Sequence, residues 1–240
     1  FVGLKNFIRL TQDTVFMKSI VNTFVFVILV VPLQVCLALG LALMINRKMK
    51  GISVYRLAFF APTVLSLVVV SILWTYIYNP NNGLLNSLLG SVGIGPFKFL
   101  NDPKTAMLCI VILSAWQGCG FQMMIFLSGL KGVSQSLYEA ARVEGANRWQ
   151  IFTHITWPSI SKTTFLVTTM LIISSFQVFD QAFILTRGGP GNATITLVYY
   201  IYNNGFNNLN MGYASSISMV LFLIILVFSV LNTRLNNADI

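Results

Sequence analysis

Side chains that could do covalent or metal chemistry are sparse in this 240-residue chain, and their spacing excludes most enzymatic readings. The single histidine, His154, has no partner at metal-ligand spacing, and neither HExxH nor GxSxG occurs. An intramembrane enzyme would need a nucleophile with a base, or a set of metal ligands. His154 therefore reads as an exposed loop residue. Cys36, Cys109 and Cys119 lie inside apolar runs without CxxC spacing. They read as buried small hydrophobes, not as a disulfide framework or a zinc site. No GxxxxGK[ST] loop is present, and Gly118-Cys-Gly120 is only a glycine pair inside an apolar run. ATP hydrolysis is not expected of this chain, and no cofactor or metal is expected within it.

What remains is non-covalent chemistry, concentrated in three places. Trp116-Gln117-Gly118 and Phe121-Gln122 form one polar and aromatic group, in which Gln117, Gly118 and Phe121 share a helix face at i, i+1 and i+4. Ser174-Ser175, Gln177 and Asp180 form a second, with Leu171, Ser175 and Val178 as the corresponding stripe. A ring beside an amide at a glycine-relieved position can stack on a sugar and hydrogen-bond its hydroxyls. The same residues also suit helix–helix packing through glycine and interhelical amide bonds. Both readings stand. Asp180 is placed near an outer interface, facing water or pairing with Arg187, with no catalytic or proton-coupling role. The third place is the polar stretch 131–162.

The elements that must carry these groups follow from charge. Only 21 residues are ionisable as Lys, Arg, Asp or Glu, 9% of the chain, while 56% are hydrophobic and mean hydropathy is +0.78. A soluble domain carries about 25% charged residues. None of these residues falls within 19–46, 57–97, 105–130, 163–179 or 188–233. Crossing hydrocarbon takes roughly 20 apolar residues as helix. Spans are expected at about 20–45, 57–78, 105–130, 163–185 and 213–233, in an all-α polytopic transmembrane bundle. These are continuous apolar runs, not the alternations of a barrel. Pro32 and Pro62 should kink their spans, and Trp74, Tyr76 and Tyr78 should end the second as an interfacial aromatic group.

The net charge of +9 is not clustered as a nucleic-acid stripe would be, so no nucleic-acid partner is expected. Instead the bases orient the chain. Arg47, Lys48, Lys50, Arg56, Lys131, Arg142, Arg148, Lys162 and Arg234 make nine on one side, against six on the other. This places 46–56, 131–162 and the carboxyl end in the cytoplasm. Five spans then leave Phe1 outside, as if one earlier helix preceded it. Asn79-Pro80-Asn81-Asn82-Gly83 and Gly188-Gly189-Pro190-Gly191-Asn192 read as turns in the outer loops.

Residues 131–162 are neither span nor linker. Ser136 and Glu139 have capping-box spacing, which predicts a helix from Leu137 that ends at Gly145 in a left-handed position. A second short helix should start at Asn147 and carry Trp149, Ile151 and Phe152, with Pro158 ending the loop. Such short helices need a surface for their apolar residues. That surface is either the protein's own cytoplasmic face or a partner.

Glu139-Ala140-Ala141, Gly145, Ile155 and Pro158 resemble the EAA loop of binding-protein-dependent ABC importer permeases. Gly3 to Phe7, Asn22-Thr23, Asn46-Arg47, Asn79 to Asn86 and Leu185 to Pro190 are similar to its carbohydrate-uptake branch, the maltose-type and glycerol-phosphate-type permeases. Ser134, Glu144 and Trp157 depart from the usual Pro, Asp and Leu but keep the character of each site. The resemblance implies one permease domain over 1–240 with the type I importer core, lacking the helix that precedes Phe1 in the family. It also implies a prokaryotic cytoplasmic membrane. The implied partners are a second permease, two ATPase subunits that hold ATP and Mg, an extracytoplasmic solute-binding protein and the surrounding lipid. Glu139, Ala140, Ala141, Gly145, Ile155 and Pro158 would couple to the ATPase. Trp116, Gln117, Gly118, Phe121, Leu171, Ser175 and Val178 would line the sugar path. A polyol phosphate is the alternative substrate; an ion-coupled carrier or channel is the alternative of another class, and it would have no use for the docking loop.

Overall fold

A computed structural model describes residues 3–46 and 51–238. Arg47, Lys48 and Lys50, which helped to orient the chain, lie outside the described residues, as does Phe1. All regular structure among the described residues is helical. The helices are α1 (Lys5–Gln12), α2 (Thr14–Ile45), α3 (Ile52–Val64), α4 (Leu67–Ile77), α5 (Leu84–Ser91), α6 (Ala106–Lys131), α7 (Gln135–Val143), α8 (Arg148–Ile151), α9 (Trp157–Ser159), α10 (Ser161–Phe176), α11 (Asp180–Leu185), α12 (Leu197–Tyr202) and α13 (Met211–Ala238). Three are long and apolar enough to cross a membrane singly: α2, α6 and α13. Two bent pairs, α3 with α4 at 98° and Arg148–Ser159 with Ser161–Phe176 at 67°, bring the total to five if each pair is one span. The fourth apolar run is itself broken between α10 and α11.

Packing divides the chain into two units, one of residues 1–30, 65–114 and 172–240, the other of residues 31–64 and 115–171. In the first unit, α2 begins six residues before the expected position, because Lys18 interrupts the apolar run without interrupting the helix. Its ammonium is taken up by the carbonyl of Gly191 at 2.7 Å. Asp13 sets the start. Its Oδ1 accepts the backbone N–H groups of Val15 and Phe16 at 2.9 and 3.1 Å, filling an N-cap role. Its Oδ2 accepts the hydroxyls of Tyr200 and Tyr213, each at 2.5 Å. Arg9 lies over the Tyr213 ring, 4.5 Å from its centroid. One carboxylate thus joins α1, α2, α12 and α13.

The 186–197 loop is strapped to the same helix. Asn22 donates to the carbonyls of Asn192 and Ile195 at 2.9 and 3.0 Å, and Thr23 accepts the N–H of Leu197 at 2.9 Å. Gly188 has φ +78°, and a Cβ there would lie 2.7 Å from the Tyr199 ring, so only glycine fits that turn. The Asn79–Gly83 turn forms as expected, with Asn79 Oδ1 accepting the N–H groups of Asn81 and Asn82. Tyr78 departs from its expected interfacial place. It is 2% exposed, and its hydroxyl donates to the carbonyl of Cys109 at 3.1 Å, while Tyr76 stays exposed.

In the second unit, α2 continues unbroken through Pro32. Pro62 does not simply kink its span. α3 ends at Val64, and Ser66 takes φ −57° and ψ 129° before α4 begins. The core draws on Ala38 and Ala42 of α2, Met123 and Phe126 of α6, and Ile160 and Val167. Close approach is by glycine: a Cβ on Gly120 would lie 2.2 Å from the Phe59 carbonyl oxygen. α2 and α13 each keep rows of exposed Val, Ile, Leu and Phe, a surface suited to hydrocarbon.

Burial opposes ionisation of Asp13, but the hydrogen bonds from Tyr200, Tyr213, Phe16 and Val15 outweigh it and hold its pKa below the ordinary 3.8. A lowered native pKa means that its contribution is complete above 3.8 and is lost as pH falls through the lower native value. Amide exchange over residues 186–213 should therefore be equally protected at pH 7 and pH 5 and weaken only at strongly acid pH. Asp13→Ala should weaken it at pH 7 and pH 5 alike, since loss of an N-cap alone costs about 0.5–2 kcal/mol.

Candidate functional site

The polar loop is built by turn chemistry. α7 begins at Gln135, two residues before the expected start, behind Ser134 in extended conformation. Glu139 then falls in the second turn, out of reach of the N-cap amide, so the capping box expected from Ser136 and Glu139 does not form. Ser136 is bonded instead to Ser134, at 2.7 Å between hydroxyl oxygens. Glu139 accepts from Gln135 Nε2 at 2.7 Å and remains exposed, with neither a capping role nor a place at the helix N-terminus. The reciprocal box lies ten residues on. Asn147 Oδ1 accepts the N–H of Gln150 at 2.9 Å, and Gln150 Oε1 accepts the N–H of Asn147 at 2.8 Å.

Gly145 closes α7 at φ +81°. The N–H of Ala146 donates to the carbonyl of Ala141 and that of Gly145 to the carbonyl of Arg142, at 2.9 and 3.1 Å. These two bonds make a Schellman motif, with Gly145 at its left-handed position. The second helix is longer than expected. α8 passes into a π-helical turn over Phe152–Thr156 and then into α9, so Pro158 lies inside helix instead of ending it. The wide turn sets the N–H of Trp157 on the carbonyl of Phe152 just before Pro158, where an ordinary turn would meet the ring and lack a donor. Tyr138 and the buried Thr156 approach to 3.3 Å and hold α7 against this turn. His154 is exposed and bonded locally to Gln150 and Thr153.

The apolar residues of this segment are not covered. Val143 is 89% and Trp149 71% exposed, Leu137 and Trp157 are exposed too, and α7 and α8 contain no buried residue. Of the EAA-type residues, Glu139, Ala140, Gly145 and Pro158 are exposed, with Ala141 and Ile155 half-buried. The structure thus presents a rigid helix–turn–helix with an apolar surface open.

Within the span the amides do two things. Gln117 Nε2 donates to the Pro62 carbonyl at 3.4 Å, and Thr63 Oγ1 donates to the Gln117 carbonyl at 3.0 Å. These contacts answer the backbone left open where α3 stops. Gln34 Nε2 donates to Gln122 Oε1 at 3.2 Å and lies over Gly118, where an added Cβ would come within 2.1 Å of it. Trp116 and Phe121 are partly exposed, whereas Leu171, Ser175 and Val178 are buried. Trp116, Gln117, Gly118, Phe121 and Leu171 belong to one packing unit, Ser175 and Val178 to the other. Asp180 opens α11 beyond a break at 177–179 and forms no ion pair with Arg187. Gln34 and Thr63 were not singled out from sequence, though a lone amide two residues after a proline in a charge-free run is a signal for such a role. Among the described residues no group of three His, Cys, Asp or Glu side chains could hold a metal.

Residues 14–238 match the family described as binding-protein-dependent transport system inner membrane component. The chain belongs to this family. It is the permease component of an ABC transporter, a multi-pass membrane protein and not an enzyme. The probable ABC transporter permease protein YurN of Bacillus subtilis (strain 168) is 37% identical over 238 residues, covering 98% of this chain and 82% of the relative. The arabinooligosaccharides transport system permease protein AraP of the same organism is 34% identical, covering 99% and 77%. A chain of the bacterial alginate ABC transporter, solved in complex with alginate pentasaccharide-bound periplasmic protein, superposes with a TM-score of 0.91 at 24% identity. That match covers 99% of this chain and 83% of the other. The permease thus shares the type I importer fold.

The two glycines of α6 should respond differently to alanine. At Gly118 the obstacle is the far end of Gln34, which can swing away at the loss of one hydrogen bond, about 0.5–1.5 kcal/mol. At Gly120 the obstacle is backbone, and overpacking there costs about 1–3 kcal/mol. Thermal unfolding in detergent should rank Gly120→Ala below Gly118→Ala; the reverse order would contradict this packing.

Proposed function

We propose that this permease imports a neutral saccharide in the cytoplasmic membrane of a prokaryote, driven by ATP hydrolysis on partner subunits and supplied by an extracytoplasmic binding protein. The observation that carries the coupling reading is the uncovered apolar surface of α7 and α8, held rigid by the Schellman turn at Gly145 and the capping box at Asn147. Isolated helices of nine and four residues would not persist in water. Exposing Trp149 and Val143 on them makes sense if a protein partner covers them. That partner is an ATPase subunit, which holds the ATP and Mg. Ala140 and Ala141 permit close approach, and Glu139, with no capping duty, is available to a basic group on the partner. Two ATPase subunits and a second permease complete the assembly.

The saccharide reading is supported by the relatives named for arabinooligosaccharides and for lactose. A neutral substrate is favoured over a polyol phosphate because the five apolar runs contain no Lys or Arg to hold an anion. Trp116, Gln117, Gly118 and Phe121, with Leu171, Ser175 and Val178, are the residues proposed along its path.

In the reconstituted complex, Glu139→Lys and Gly145→Asp should abolish binding-protein-stimulated ATPase activity while all subunits still co-purify. Gly145→Asp adds the strain of a side chain at φ +81°. Normal stimulation in both variants would remove the coupling assignment. Uptake that persists when ATP hydrolysis is blocked would replace the importer by a carrier, and a phosphorylated polyol bound to the cognate binding protein would replace the neutral saccharide.

A further inference from the structure

Five aromatic rings are connected in the first packing unit, with the buried Tyr199 behind Phe179 and Phe183. Phe183 stacks on Phe179, with centroids 5.3 Å apart and planes 12° from parallel. Tyr202 meets both, at 5.2 Å from Phe179 and 5.4 Å from Phe183. Phe206 stacks on Tyr202 at 5.5 Å and 26°. Phe179, Phe183 and Tyr202 are half-buried, and Phe206 is 63% exposed.

Two backbone irregularities aim these rings. Phe179 lies at the end of the break between α10 and α11, beside the exposed Gln177. Phe206 lies in a π-helical turn over Asn203–Asn207, where the N–H of Asn208 reaches back to the carbonyl of Asn203 at 2.9 Å. The inner side of that turn is fixed by packing. Asn204 is buried and donates to the Tyr200 carbonyl at 3.0 Å, and a Cβ on the buried Gly205 would lie 3.3 Å from the Ala214 side chain. Phe206 is left on the open side. The residues that follow it include the exposed amides Asn207 and Asn208 beside the apolar Leu209, and Asn207 donates to Asn203 Oδ1 at 2.7 Å. Hydrocarbon would penalise these amides, so Phe206 faces water or a polar ligand.

A π-turn and a helix break in a membrane protein are both features that recur at ligand sites. Flat rings bracketed by amides match a pyranose or furanose, whose apolar face stacks while its hydroxyls take donors and acceptors. We propose that the series Phe206–Tyr202–Phe179–Phe183 is a stacking subsite that receives the transported saccharide at the extracytoplasmic mouth and passes it toward the helix break at 177–179. This rests on the saccharide reading of the preceding section. One exposed ring, Phe206, leads to three half-buried rings, an arrangement that suits a path inward.

The test uses the whole complex in nanodiscs without binding protein, with maltotriose, arabinotriose and lactose as probes in saturation-transfer NMR, alongside uptake into proteoliposomes with it. Phe206→Ala should weaken binding of the imported probe by roughly threefold to tenfold, the scale of one aromatic contact. Phe206→Trp should restore it, and binding-protein-stimulated ATPase activity should be unchanged in both. The ring is exposed and α13 packs on Asn204 and Gly205, so the variants retain the fold. Unchanged affinity in Phe206→Ala, failure of Phe206→Trp to rescue, or no transfer signal from a probe that the wild type imports would each overturn the subsite and leave the importer reading standing. A shift only in the binding-protein concentration needed for stimulation would also overturn it, making Phe206 a protein contact. Import of no saccharide by the wild type would overturn both readings together.

Discussion

Hydrocarbon cannot hydrogen-bond a carbonyl, so every point where a spanning helix stops short must find its partners within the protein. Two of the five apolar runs stop short in this way, and the side chains that answer them organise what lies around them. At the end of α3 the Pro62 carbonyl takes Gln117, and Thr63 returns a bond to the Gln117 carbonyl. After α10 the Val178 carbonyl takes the hydroxyl of the buried Thr196 at 2.9 Å. Thr196 in turn begins α12, where its hydroxyl accepts the N–H of Tyr199. Each break is thereby tied to a second helix by direct bonds.

The cytoplasmic segment meets the opposite constraint. In water the backbone of α7 to α9 could be satisfied by solvent, yet it is satisfied internally by the Asn147–Gln150 box, the bonds around Gly145 and the π-turn before Pro158. What lacks cover is the apolar surface of Leu137, Val143 and Trp149. A segment that is rigid in its main chain and uncovered in its side chains is suited to transmit force, because little conformational entropy is left to lose when a partner seats on it.

The sequence made the spans legible because charge is excluded over long windows, and the third, 105–130, lies within one residue of α6 at either end. The start of α2 was not legible, since Lys18 looks like a boundary until its ammonium is seen on the Gly191 carbonyl. Pro62 marked the neighbourhood of the first break, though not its place at Leu65-Ser66. The second was hidden, since Gln177-Val178 carries no glycine or proline and only partners remote in sequence show why the helix can end there. In the loop, Gly145 was legible from its residue type, because a left-handed position selects glycine. Ser136 and Glu139 misled, since Ser-x-x-Glu spacing recurs wherever a helix carries both residues. The Asp13–Tyr200–Tyr213 junction joins residues about 190 positions apart and left no local signal.

The membrane amides serve helix packing. Gln117 was open to a packing role or a sugar-binding role, and here it serves packing, but over 3.4 Å. Hydrogen bonds near that length are weak, so an amide in this position gives up little when a hydroxyl presents a better acceptor. Gln34 and Gln122 meet at 3.2 Å over Gly118, whose missing side chain makes room for the buried Gln34 amide. Amides placed in this way satisfy the backbone without a buried charge, in apolar runs from which Lys and Arg are absent.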